Sequence, residues 1–153
     1  MLEIRQAKAS DISRIVDLLR DDDQGKIRES LSDDALPKYI NAFEEIASDA
    51  NCDLLVAVDQ GVVVGCIQIN VLPGLSYQGI RRCLVEDVRI ARRCRGNGYG
   101  RVLLEAATNH AIAKGCKMIE LFVHQDRKDA HAFYEACGFN GHHKGYRRQL
   151  KKG

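Results

Sequence analysis

Apolar residues recur along this chain with two different periods. Ile12, Ile15, Val16, Leu18 and Leu19 fall three and four apart, the spacing of one buried helix face. Ser10 stands where the N-cap of that helix belongs. The segment DDDQGKIRES breaks the pattern. A second helical stripe, Tyr39, Phe43 and Ile46, predicts a helix over 36–50 with Pro37 in its first turn. Strands are predicted at Leu2 to Lys8, then Leu54 to Asp59 and Val62 to Val71 joined by a tight turn at Gln60-Gly61. LPGLSYQG reads as a loop, and Arg81 to Ile90 as the next strand. A glycine-rich stretch then opens a helix that Gly115 ends. Met118 to Val123 is a strand, Asp129 to Cys137 a short helix ended by Gly138, and Phe139 onward and Tyr146 to Leu150 add final strands. The order is βααββ followed by βαβαβ. It is an α/β class with helices packed on a sheet, read as a single domain over 1–153.

Composition narrows the function classes. The chain is 45% hydrophobic and 29% charged, with a net charge of +2, too near balance to imply nucleic acid. The start, MLEIRQAKASD, lacks the pattern of a secretory signal. No apolar run approaches a bilayer-spanning length, and LKKG carries no lipidation signal. The expected location is cytoplasmic, with neither membrane nor nucleic acid as partner. Six cysteines, Cys52, Cys66, Cys83, Cys94, Cys116 and Cys137, are scattered without a C-x-x-C pair, so neither a metal site nor a disulfide is expected. Cys94 is set apart by nearby arginines, which should lower its pKa. A bystander thiol is the simpler reading, because no histidine is placed to serve as its base.

The stretch RRCRGNGYGRVLLEA, residues 92–106, carries the chemistry. The first amides of a helix lack intrahelical partners, and the helix dipole puts partial positive charge there. Glycines let the backbone approach phosphate oxygens. Gly96, Gly98 and Gly100 form G-x-G-x-G, which is neither the dinucleotide fingerprint nor a P-loop. Glycines alone fit a solvated connection equally well. Arg95 and Arg101 shift the balance towards phosphate, which suits bidentate guanidinium. Most of Arg81, Arg82, Arg92 and Arg93 are expected to be solvated.

In the strand before it, alternation puts Leu84, Glu86, Val88 and Ile90 on one face. A carboxylate on an otherwise buried face should have a raised pKa and suits a general base for an amine. A structural carboxylate paired with Arg89 or Arg101 fits equally well. Asp87 points the other way, unless a bulge exchanges the two.

Arg95-Gly96-Asn97-Gly98-Tyr99-Gly100 resembles the [QR]-x-x-G-x-[GA] signature of the GNAT acyl-coenzyme A transferase superfamily. VEDVRI before it, VLLEAA after it and AHAFYEACGF downstream resemble the same family, as do IRQAKASDISRIVDLL and VAVDQGVVVGCIQI. The resemblance implies a GNAT fold with a mixed, mostly antiparallel central sheet flanked by helices. It implies acetyl-CoA as donor, with no metal. Its phosphates would lie on Arg95, Gly96, Asn97, Gly98, Tyr99, Gly100 and Arg101. The backbone of Val88, Arg89 and Ile90 would pair with the pantetheine arm, and the Val88 amide would polarise the thioester carbonyl. Tyr134 would protonate the departing thiolate, while Phe133 belongs to the same helix and is most simply core. Arg127 stands where many members carry Asn; it would reach a phosphate or face solvent.

The implied reaction moves acetyl to a primary amine of a small molecule by direct attack. A protein or peptide acceptor is the alternative among enzymes, and an idle acyl-coenzyme A binding module the alternative outside them. Asp21, Asp22, Asp23, Asp33 and Asp34 would attract a cationic amine or form a solvated linker. Tyr77 would line the cleft or cap a turn. His124, His131, His142 and His143 are assigned no role. A homodimer is left open.

Overall fold

The computed structural model describes residues 1–151. The last two residues of LKKG, and the side chain of Asp23, lie outside the described residues. Two compact units divide the chain, 1–120 and 121–153.

The first unit is built on a sheet of order β1-β2-β3-β4-β5: Leu2–Gln6, Cys52–Asp59, Val62–Pro73, Arg81–Ile90 and Cys116–Leu121. The first three pairings are antiparallel. Its helices are α1 (Ile12–Leu19), α2 (Asp23–Arg28), α3 (Leu36–Ser48), a four-residue α4 (Ser76–Gly79) and α5 (Tyr99–Ala113). One sheet face, with Ile67, Ile69, Val71, Cys83 and Val85, is buried together with Leu103, Leu104 and Ala107 of α5, which packs on β3 and β4. On the other face α1 packs on the same two strands, and its Ile12, Ile15, Val16 and Leu18 are buried as their spacing requires. Each such side chain contributes roughly 1.5–3 kcal/mol relative to exposure.

Several local expectations need correction. The cap of α1 is not Ser10. A 3-10 turn at Ala9–Asp11 precedes the helix, and the buried Asp11 carboxylate accepts the Lys8 N–H at 2.8 Å and both Arg5 guanidinium nitrogens at 2.8 and 3.1 Å. A carboxylate with a bidentate partner serves better here than a hydroxyl. DDDQGKIRES is not simply a breaker, because it contains α2 with Asp22 as N-cap accepting the Gly25 N–H. The apolar stripe of α3 leaves Tyr39, Phe43 and Ile46 only half-buried. The Ser76–Gly79 turn holds Tyr77 and Gln78 in the left-handed region, and Tyr77 is exposed.

A further correction is in β4. Cys66 pairs with Arg89 and Gln68 with Glu86, so Ile67 of β3 faces two residues, Asp87 and Val88. This is a β-bulge, with Asp87 at φ 54°, a conformation that its short polar side chain tolerates. The extra residue reverses the alternation beyond it. By register Ile90, opposite Gly65, joins the face of Val85 and Cys83, and Arg89 joins the face of Glu86. The expected row Leu84, Glu86, Val88, Ile90 is thus broken at its middle.

The second unit holds α6 (Lys128–Ala136) and the segment after it. Tyr134 packs edge-on against Phe133 and Phe139, with ring centroids 5.1 and 5.9 Å apart. Among the described residues none beyond Ala136 lies in a helix or strand, so the final strands expected from Phe139 and at Tyr146 to Leu150 are absent. Tyr146 and Leu150 are exposed.

Candidate active site

The glycine stretch leaves β4 through a short 3-10 turn, Arg92–Cys94. Arg95 then turns back, its Nε donating to the Ile90 carbonyl at 3.1 Å, and Asn97 Nδ2 donates to the Cys94 carbonyl at 3.2 Å. These contacts close the loop on itself and leave its outer side to solvent; Arg95, Gly96, Asn97 and Gly98 are all exposed. Gly96 and Gly98 have φ of 82° and 79°, and a Cβ built on either meets nothing within 4 Å. Glycine is needed at both for conformation, and the space beside both is open.

Gly98 is the N-cap of α5 and offers no side chain to the helix. The first bond into the helix is from the Val102 N–H to the Gly98 carbonyl at 3.1 Å. The amides of Tyr99, Gly100 and Arg101 come before it, at the positive end of a 15-residue helix. Tyr99 itself is anchored, its hydroxyl donating to Asp59 at 3.0 Å, a contact that also raises its pKa. Arg101 is exposed. An exposed set of donors with open glycine positions fits a polyanion such as a diphosphate.

The arginines around this loop are not simply solvated. Arg92 and Arg95 lie 3.5 and 3.8 Å from the Asp21 carboxylate, and Arg89 lies 3.4 Å from Asp22. Arg82 pairs with Glu120 at 2.9 Å, and Arg81 donates to Asn51 at 3.3 Å. Arg93 is exposed. Asp21 and Asp22 are therefore counter-charges of the arginines around the glycine loop, carried by the link between α1 and α2. Sequence reasoning treated the two runs separately because 71 residues separate Asp21 from Arg92.

Glu86 and Val88 flank the bulge. Glu86 is exposed, not buried on an apolar face as expected, and the two arginines proposed as its partners are not used. Its partner is Asn70 of β3, whose Nδ2 donates to Glu86 Oε2 at 3.3 Å. Val88 shares Ile67 with Asp87 as the residue opposite it on β3, and it and Ile90 are half-buried. The bulge is tied from below by the fully buried Cys66 thiol, which donates to the Asp87 carbonyl at 3.4 Å. Burial pushes that thiol up to about 12. All six cysteines are free, and Cys94 is buried beneath the loop, away from the exposed position a reactive thiol needs.

In the second unit, Arg127 is the N-cap of α6 and is exposed, while Phe133 and Tyr134 are half-buried. His131 is not inert: its Nε2 lies 3.0 Å from the His124 carbonyl, bracing the turn into α6. His142 and His143 are exposed.

Asn70 and Gln68 were missed by sequence reasoning. The available signal was their i, i+2 spacing, two amides on one face of an otherwise apolar strand, VVVGCIQIN.

With this geometry in hand, the likeness to known proteins is decisive. Residues 12–139 match the Acetyltransferase (GNAT) family. The chain belongs to that family. A crystal structure described as a transcriptional regulator from Bacillus halodurans C-125 is 36% identical, covers 98% of this chain and 100% of its own, and has a TM-score of 0.94. Glucosamine-6-phosphate N-acetyltransferase from Arabidopsis thaliana shares the fold, with TM-score 0.80 at 21% identity over 99% of each chain. So does a predicted acetyltransferase from Clostridium acetobutylicum with acetyl-CoA, TM-score 0.75 at 18% identity over 98% of this chain and 97% of that one. An uncharacterized N-acetyltransferase of Bacillus subtilis, YhdJ, is 35% identical over 69 residues, 44% of this chain. The match spans about half, 49%, of that relative. The GNAT fold expected from the residues is the fold observed. Among the described residues no group of His, Cys, Asp and Glu could hold a metal ion, and no helix is long and apolar enough to cross a membrane.

Proposed function

We propose that this GNAT protein is an N-acetyltransferase, taking acetyl from acetyl-CoA to the primary amine of a small molecule by direct attack. The observation that carries the reading is the left-handed Gly98 N-cap with open space at Gly96 and Gly98 and the amides of Tyr99, Gly100 and Arg101 ahead of the first helical bond. The donor's diphosphate lies on the 95–101 loop, with Arg95 and Arg101 as guanidinium partners and Arg127 as a further one. The backbone from Val88 to Ile90 holds the pantetheine arm.

Each remaining step falls to one group. The Val88 N–H polarises the thioester carbonyl, since a bulge frees a residue from the regular ladder. Glu86 takes the proton of the attacking amine, directly or through a water, and its exposure suits a base that must meet an incoming solute. Tyr134 protonates the departing thiolate, with Phe133 and Phe139 fixing its ring. The protein works in the cytoplasm.

An amine panel with acetyl-CoA, followed by thiol release, tests the proposal, with calorimetry of acetyl-CoA binding beside it. Binding with release on at least one small amine supports it. Binding without release on any small amine or peptide overturns it in favour of an idle acyl-coenzyme A module, and release on peptides alone moves the acceptor to protein.

A further inference from the structure

Asn70 is the centre of a polar row that crosses three strands. Register sets it opposite Cys52 on β2 and Leu84 on β4, with Gln68 opposite Leu54 and Glu86. Its Nδ2 donates to the Leu84 carbonyl at 3.1 Å and to Glu86 Oε2 at 3.3 Å. Its Oδ1 accepts from Gln68 Nε2 at 3.0 Å, and the Cys52 thiol lies 3.6 Å from the same oxygen. The direction of the amide is determined, because a carbonyl and a carboxylate only accept.

The row ends in oxygens on both sides. Gln68 spends its NH2 on Asn70 and keeps its carbonyl oxygen. Glu86 gives one oxygen to Asn70 and keeps the other. Both residues are at least partly open to solvent. Two acceptor oxygens, one of them charged, suit the N–H groups of an ammonium.

Two cations along β4 are already matched. Arg82 pairs with Glu120 at 2.9 Å, and Arg89, beyond the bulge, with Asp22 at 3.4 Å. Among the described residues Glu86 makes no ion pair, only the hydrogen bond with Asn70. A phosphate or carboxylate placed beside the acceptor's amine would therefore meet the negative charge of Glu86, with Arg82 and Arg89 already engaged.

We infer that the acceptor is a primary amine on an uncharged or cationic frame, such as an alkyl diamine, and that Asn70 is the positioning residue holding the Gln68 and Glu86 oxygens that receive it. This rests on the proposed acetyl transfer with Glu86 as base, and names the substrate class for it.

The test uses the full chain with acetyl-CoA and three amines: 1,4-diaminobutane, glutamate and glucosamine 6-phosphate, followed by thiol release. The expected kcat/KM is at least about tenfold higher for the diamine than for either anionic amine. Asn70→Ala should raise the diamine KM about five- to tenfold, leave the calorimetric Kd for acetyl-CoA unchanged, and cost little more when Glu86 is already Gln. Asn70→Ser, which keeps a donor, should recover part of the loss and serves if the alanine variant folds poorly. Preference for an anionic amine overturns the inference. So do variants at Asn70 with wild-type KM, or penalties that simply add to that of Glu86→Gln. No thiol release with any amine, while acetyl-CoA still binds, removes both this inference and the proposed transfer. An anionic preference leaves the transfer standing.

Discussion

The Cys66 thiol donates to the Asp87 carbonyl across the step where β4 carries one residue more than β3. The side chain is fully buried, and burial holds its pKa up at about 12. Only the thiolate alkylates readily. Cys66 should therefore stay unmodified by iodoacetamide at pH 8 in the folded protein and react once denaturant is added. Peptide mass spectrometry reads both states, and native labelling at Cys66 would show the bulge opening.

Gly98→Asp should abolish acetyl-CoA binding by putting a negative side chain at the phosphate seat. Gly98→Ala separates charge from conformation. The space is open, but φ of 79° costs a non-glycine residue about 1–2 kcal/mol. The alanine variant should lose thermal stability yet still bind in calorimetry.

Asp21 neutralises Arg92 and Arg95. A donor phosphate has to displace it. Asp21→Asn should tighten the Kd for acetyl-CoA by about two- to tenfold at low salt, and the difference should shrink as salt rises. Weaker binding in this variant would mean that Asp21 supports the loop more than it competes for it.

Tyr134→Phe should lower kcat by about 10- to 1000-fold with little change in acetyl-CoA affinity. The ring packing with Phe133 and Phe139 is kept in the variant. Unchanged turnover would remove Tyr134 from proton transfer.

Asp11 lies below the ordinary carboxylate range, chiefly because the Arg5 guanidinium hydrogen-bonds it. A folded-state pKa below the unfolded value of about 3.9 means that the pair stabilises fully above that pH. The contribution is lost as pH falls through the lower, folded value. Asp11→Ala should cost about 2 kcal/mol at pH 7, and the gap to wild type should close on acidification towards pH 3. Denaturant melts across pH measure it. A gap independent of pH would assign the loss to packing.

These positions also separate what local sequence reveals from what it hides. The face of α1, the hairpin at Gln60-Gly61 and the glycine loop that opens α5 follow from periodicity, turn chemistry and glycine placement, all of which act over a few residues. The bulge at Asp87 does not, because one inserted residue leaves the composition of VEDVRI unchanged and shows itself only against the register of β3. Asn70 with Glu86 and Asp21 with Arg92 are hidden for a related reason. Each is a pairing across the sheet or across helices, and neither partner is unusual for its own element. Tyr146 to Leu150 shows the opposite failure, a strand expected where the described residues form none.

The carboxylate of Asp21 answers two guanidinium groups at once, so the loop is self-neutralised. Chloride or acetate gains little by ousting it, since one monoanion merely replaces another. A diphosphate brings several charges and is rewarded for each beyond the first. On the proposed acetyl-CoA reading, the loop selects by charge before shape.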